Sequence, residues 1–235
     1  MGHILLVRHA QASFGSVDYD RLSALGVEQA RLLGAWITNR GRPIDLAITG
    51  SLRRHRETAE VCIAVLPVAL KPAGASRAEA GFDEYDADEI VARHRPEFAD
   101  PEILRRYLVG GGHPRRAFHD LFSAAMRRWM GGNHDAEYRE SWTSFCGRCV
   151  AALNYLIAQA GPSRTSIVFT SGGPIAAICQ YLLEMPDHRT FDLNLSLVNG
   201  AVTALLYQPG RISVSYLNNF AYLEQTGNAR VITYR

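Results

Sequence analysis

Lysine is almost absent from this 235-residue sequence. Lys71 is the only one, and arginine makes up the rest of the 25 basic residues. Arginine supplies planar forks suited to phosphate and carboxylate. Excess charge is also lacking: 25 basic against 23 acidic residues leaves +2, too little to argue for nucleic acid or membrane affinity. Cysteine is scarce, with only Cys62, Cys146, Cys149 and Cys179. With no charged-then-apolar leader, this points away from a secreted disulfide framework and toward the cytoplasm. No apolar run approaches the roughly 18 residues that suggest a bilayer span.

What is present is ordinary for a folded domain. Apolar residues make up 47% and charged residues 20%, with 20 Gly and 10 Pro, which excludes disorder, collagen and coiled coil. At this length one domain with an insertion is expected.

His3 to Val7 is a continuous apolar run, the pattern of a strand buried on both faces, and it ends in Arg8-His9. Leu25, Gln29, Leu33 and Trp36 then recur at helical spacing. A strand is expected over Asp45–Thr49, a helix from there to Leu66, a long helix over Ser141–Gln159, a strand over Ser166–Thr170 and a helix after it to Leu183. Ala201–Tyr207 and Ile212–Leu217, joined by Pro209-Gly210, read as a closing hairpin. The segment at about 81–140 has helical pieces between prolines and glycines; eight arginines against four acids within 93–128 make it locally basic. The fold class expected is α/β: a mostly parallel sheet sandwiched by helices, carrying a helical cap insertion.

In such sheets ligands bind beyond the carboxyl ends of the strands. The residues there are Arg8-His9, Gly50-Ser51 with Arg54 one turn on, and Ser171-Gly172-Gly173. A neutral imidazole is a good nucleophile for phosphorus, and two guanidinium groups can hold a phosphoryl group in line with it. The amides of Ser171, Gly172 and Gly173 at a helix start add an anion cradle. This set needs no metal and no cofactor.

These motifs resemble the histidine phosphatase superfamily, the phosphoglycerate mutase-like proteins. Leu6-Val7-Arg8-His9-Ala10 is similar to the LVRHG signature, Leu22 to Ala30 to the L-T-x-x-G-x-x-Q-A helix, and Leu52 to Ala59 to the L-x-R-A-x-x-T-A element. Glu84 sits where the family keeps its catalytic acid, with Asp83 its nearest rival in register. Glu140-Ser141 followed by Arg148 resembles the G-E-S element and subsequent arginine. The resemblance implies that His9 is the phosphorylated nucleophile, that Arg8 and Arg54 clamp the phosphoryl group, and that Glu84 protonates the leaving oxygen; the amide cradle adds Ser171 and Gly172 as phosphate-binding residues.

Two departures stand out. Where the family reads S-H-G-G, this chain reads Thr170-Ser171-Gly172-Gly173, so a cation is replaced by a neutral donor. His55, His113, His119 and His188 are candidate substitutes, although each reads first as an ordinary surface residue. Where the mutase branch reads E-T-x-x-N, this chain has Gln11-Ala12-Ser13-Phe14-Gly15, which favours a phosphatase over a mutase. A phosphomonoester phosphatase is therefore expected, the alternatives being an idle relative that binds a phosphorylated ligand or protein partner, and a phosphoglycerate mutase. The partner expected is a small phosphorylated substrate, not nucleic acid or membrane, with a homodimer open. Cys146-Gly147-Arg148-Cys149 has the C-x-x-C form but sits in a helical pattern without a second pair, and reads as two core thiols rather than a zinc or redox site.

Overall fold

The computed structural model describes residues 1–13, 20–110 and 112–234. Phe14 and Gly15, in the segment that departs from the mutase pattern, and Gly111 fall outside these residues.

The chain divides into two compact units, Met1–Glu84 with Arg148–Arg235, and Tyr85–Gly147. The elements run β1 (Gly2–Arg8), α1 (Ala24–Arg40), β2 (Leu46–Thr49), α2 (Arg53–Val65) and β3 (Arg77–Ala78). Then come α3 (Ala87–His94), α4 (Pro101–Gly110), α5 (Pro114–Met130), α6 (Trp142–Ala160), β4 (Thr165–Thr170) and α7 (Gly172–Leu183). The chain closes with α8 (Asp187–Ser196), β5 (Val202–Gln208), β6 (Arg211–Asn219) and the short α9 (Ala221–Glu224).

The first unit is built on a six-stranded sheet in the order β3-β2-β4-β1-β5-β6. β1, β2, β3 and β4 pair in parallel, whereas β5 runs antiparallel to both β1 and β6. The continuous apolar character of β1 follows from its central position. Leu5 and Val7 pack with Leu33 and Ile37 of α1 and with Ala59 and Cys62 of α2, while Ile4 and Leu6, on the other face, are equally buried. The register sets Arg8 beside Thr170, so that His9 and Ser171 are the next residues of two neighbouring parallel strands.

α1 starts where Ser23 caps it, its Oγ accepting the Gly26 amide at 3.0 Å. It stops at Gly41, whose φ of 62° is the left-handed conformation of a helix C-cap. Three elements were not read from the sequence. β3 has only two residues and α9 only four, and α8 is polar around most of its girth, with Thr190 its one buried residue.

The second unit is helical, with α3, α4 and α5 followed by the first turns of α6. Tyr85, Trp129, Trp142 and Phe145 form an aromatic cluster with centroids 5.2–5.7 Å apart. The Trp129 indole donates to the Glu140 carbonyl at 2.8 Å. Of the C-x-x-C pair, Cys149 is buried, but Cys146 is partly exposed, so only one of the two expected core thiols is a core thiol.

Candidate active site

The site is assembled at the carboxyl ends of β1, β2 and β4. His9 follows β1, is 7% exposed, and its backbone is held on both sides. Its amide donates to the Thr170 carbonyl at 2.7 Å, and its carbonyl accepts the Asn199 side-chain amide at 3.1 Å. His9 Nδ1 lies 2.8 Å from the Ala10 carbonyl. A carbonyl can only accept, so Nδ1 carries the proton and Nε2 keeps its lone pair. Burial, then the charges of Arg54 and Arg8 and the neighbouring His55, hold the ring well below the usual histidine range. Burial is the larger cause, and the flanking cations add to it.

Arg8, the last residue of β1, is 8% exposed and donates to the Leu197 carbonyl. Arg54, in the first turn of α2, bonds Asp20 at 2.7 Å, with its side chain 11% exposed. Asp20 also accepts the Arg53 amide at 2.7 Å, fixing the start of α2 and the Arg54 guanidinium together. Both arginines are close enough to His9 for their charge to be felt at its ring.

The segment carrying Glu84 is pinned from behind. Thr170 Oγ1 donates to the Phe82 carbonyl at 2.5 Å, and Arg148 Nη1 reaches the carbonyls of Ala80, Gly81 and Asp83 at 3.0, 3.2 and 3.1 Å. This separates the two rival carboxylates. Asp83 accepts the amide of Ser51 at 2.5 Å as well as its hydroxyl. Glu84 instead accepts the Gly173 amide at 3.3 Å, at the start of α7. The amide cradle therefore has Glu84 already on one of its members. Gly172 meets α8 closely, since a Cβ there would collide with the Asn194 side chain.

His55 corrects the sequence reading. His113, His119 and His188 are exposed, whereas His55 is fully buried, with Nε2 2.7 Å from Ser171 Oγ and its ring 5.8 Å from that of His9. Arg53 and Arg56 on either side turn outward, but His55, Thr58, Ala59 and Cys62 share the inner face of α2 at i, i+3, i+4 and i+7. That spacing was the available signal. Asp20 and Asn199 were also missed, and neither belongs to a motif.

The quoted motifs are explained by the same geometry. Gln29, fully buried, accepts the Gln11 amide at 2.8 Å and donates to the Val231 carbonyl at 2.8 Å. A Cβ on Gly26 would run into the Gln11 backbone. Thr58 accepts the Ala10 amide at 3.1 Å. Each side chain holds the strand exit that presents His9.

A separate groove of about 760 Å³, lined in part by Tyr181, Glu184, Tyr207 and Arg211, lies at the opposite end of the strands. No group of three or more metal-ligating side chains occurs among the described residues, and no helix among them is long and apolar enough to cross a membrane.

The family model of the histidine phosphatase superfamily (branch 1) matches residues 4–102 and 107–220. The chain belongs to that superfamily. Among curated superfamily relatives it is 26% identical over 224 residues to the mitochondrial serine/threonine-protein phosphatase PGAM5 of Xenopus laevis, covering 94% of this chain and 66% of that protein. The human counterpart is 25% identical over 225 residues, covering 94% and 63%. The chain thus spans slightly less than two thirds of these relatives. Of solved superfamily structures, the phosphoglycerate mutase of Bacillus anthracis aligns with a TM-score of 0.64 at 18% identity, covering 96% of each chain. The phosphoserine phosphatase of Entamoeba histolytica in complex with 3-phosphoglyceric acid aligns at 0.63 and 18% identity, covering 95% of this chain and 100% of that one. The expected α/β fold is that of these superfamily structures.

Proposed function

We propose that the protein is a phosphatase that hydrolyses phosphomonoesters through a phosphohistidine at His9. The observation that carries this reading is the Nδ1–H bond of His9 to the Ala10 carbonyl, which leaves Nε2 unprotonated on a ring that feels the charges of Arg54 and Arg8. In the first step Nε2 attacks phosphorus, the P–O bond to the leaving group breaks, and Glu84 donates its proton to the departing oxygen. In the second step water attacks the phosphohistidine, Glu84 takes up a proton, and inorganic phosphate leaves with Nε2 restored. Arg8 and Arg54 supply the positive charge that the scheme needs, so it uses no metal.

The substrate is a small phosphomonoester under this reading. The PGAM5 relatives are named as protein phosphatases and the amoebic structure as a phosphoserine phosphatase, which makes a phosphorylated hydroxyl amino acid, free or in a protein, the first class to assay. Turnover of p-nitrophenyl phosphate by the wild type, lost in His9→Ala, is the expected result. A rate unaffected by the substitution overturns the reading, and tight phosphate binding without turnover makes the protein a receptor instead.

A further inference from the structure

The His55–Ser171 pair joins two elements 116 residues apart in sequence within a pocket that also holds His9. Nothing about a core requires an imidazole there. His55 is fully buried, yet its Nδ1 has no hydrogen-bond partner, and burying an unpaired polar nitrogen costs stability that an apolar side chain would not. Gly50 lets the ring and the Asp83 carboxylate come close to the backbone there, since a Cβ on it would collide with both Nδ1 and that carboxylate. Asp83 Oδ1 stands 4.0 Å from Nδ1, anchored on Ser51. The ring is thus held between a carboxylate on one side and a hydroxyl on the other.

A serine hydroxyl has one hydrogen to give. In the His55 tautomer protonated at Nε2 the ring donates to the Ser171 oxygen, and the serine hydrogen is left for a third group. Ser171 follows Thr170, the residue paired with Arg8, so its neighbour across the sheet is His9. We propose that His55 and Ser171 form one donor unit for the phosphoryl group: His55 is the positioning residue that donates to Ser171 Oγ, and the Ser171 hydroxyl donates to a phosphoryl oxygen. The unit stands in for the second imidazole that Ser171 displaces from the usual motif, with the ring brought in from α2. This inference rests on the phosphatase reading of the same pocket.

Two groups acting as one unit give non-additive losses, whereas independent groups multiply. The test is therefore a double-substitution cycle of His55→Ala, Ser171→Ala and both together, read as kcat for p-nitrophenyl phosphate and as Kd for vanadate. Each single change is expected to lower kcat by about 10²-fold, as loss of one transition-state donor does, and the double change to lower it no further. His55→Ala combined with Ser171→His, which returns an imidazole to α7, is expected to regain at least about tenfold over His55→Ala. A purely structural role for His55 gives no such rescue. If His55→Ala does not fold, Ser171→Ala, which removes one hydroxyl, and His55→Leu, which fills the space without a donor, carry the same comparison. Activity of His55→Ala within twofold of wild type, or losses that multiply, overturns the proposal. If the wild type does not turn over p-nitrophenyl phosphate, the phosphatase reading fails separately. The cycle on vanadate then decides: coupled weakening supports the donor unit, and unchanged binding rejects it.

Discussion

The hydroxyl of Thr58 joins α2 to the segment that follows the candidate nucleophile. It accepts the Ala10 amide at 3.1 Å and donates to the Arg54 carbonyl at 2.6 Å. Ala10 in turn offers its carbonyl to His9 Nδ1. One side chain therefore ties the residue that sets the tautomer of His9 to the turn that carries Arg54. Thr58→Val keeps the volume but leaves the buried Ala10 amide without its acceptor. It is expected to cost about 1–3 kcal/mol of stability and to lower kcat more than KM rises. Denaturant unfolding and steady-state kinetics check both parts, and an unchanged kcat would show that Ala10 is held without Thr58.

The split between Asp83 and Glu84 makes a second prediction. A general acid matters most when the leaving group is a poor one. Glu84→Gln is expected to slow hydrolysis of an alkyl phosphate such as phosphoserine by about 10²- to 10⁴-fold, and that of p-nitrophenyl phosphate much less, because nitrophenolate leaves without a proton. Asp83→Asn, at a carboxylate bonded to Ser51 and facing His55, is expected to show no such dependence on the leaving group. Rates for a series of leaving groups decide this, and a steeper dependence in Asp83→Asn would reverse the assignment.

Arg148 bridges three carbonyls behind the Glu84 segment. Arg148→Lys offers one compact ammonium in place of a planar fork. It is expected to steepen the dependence of rate on the leaving group part of the way toward that of Glu84→Gln, as a misplaced Glu84 would, while leaving vanadate affinity within about threefold, because Arg8, Arg54 and Ser171 are held by other residues. Parallel loss of vanadate binding would mean that Arg148 supports the whole pocket.

Much of this arrangement was legible in the sequence, and what was not has physical causes. β1 was readable because a strand buried on both faces must be continuously apolar, and α1 because its inner residues recur at helical spacing. Arg8, His9, Arg54 and Ser171 were placed at one rim by a rule about strand ends that needs no contact information. α8 was hidden because a helix with a single buried residue carries no periodic signal. Asp20 was hidden because it belongs to no motif and its bond to Arg54 joins residues 34 apart in sequence. His55 had a signal in its spacing with Thr58, Ala59 and Cys62, but three arginines around it masked that pattern. Its contact with Ser171 depends on the parallel register of β2 and β4, which sequence does not specify.

Burial and nearby cations depress both His9 and His55. In the unfolded chain each takes up a proton near the ordinary value of 6.5, whereas in the folded protein each resists protonation until lower pH. The unfolded state therefore binds more protons below that value. Stability contributed by the two neutral rings is fully present above about pH 6.5 and falls as the pH drops below it, by up to about 1.4 kcal/mol per pH unit for each ring. Urea unfolding between pH 7.5 and 5 is expected to show this slope, reduced in His9→Gln. An identical slope in the variant would mean that His9 is not held neutral.

The central claim is a covalent bond between phosphorus and His9 Nε2. Rapid acid-free quenching of enzyme mixed with ³²P-labelled substrate, followed by peptide mapping, tests it directly. The account predicts a label that is stable in base and lost in acid, located at His9 and absent from His9→Ala. Turnover with no labelled protein, or label on another residue such as Ser171, would contradict it.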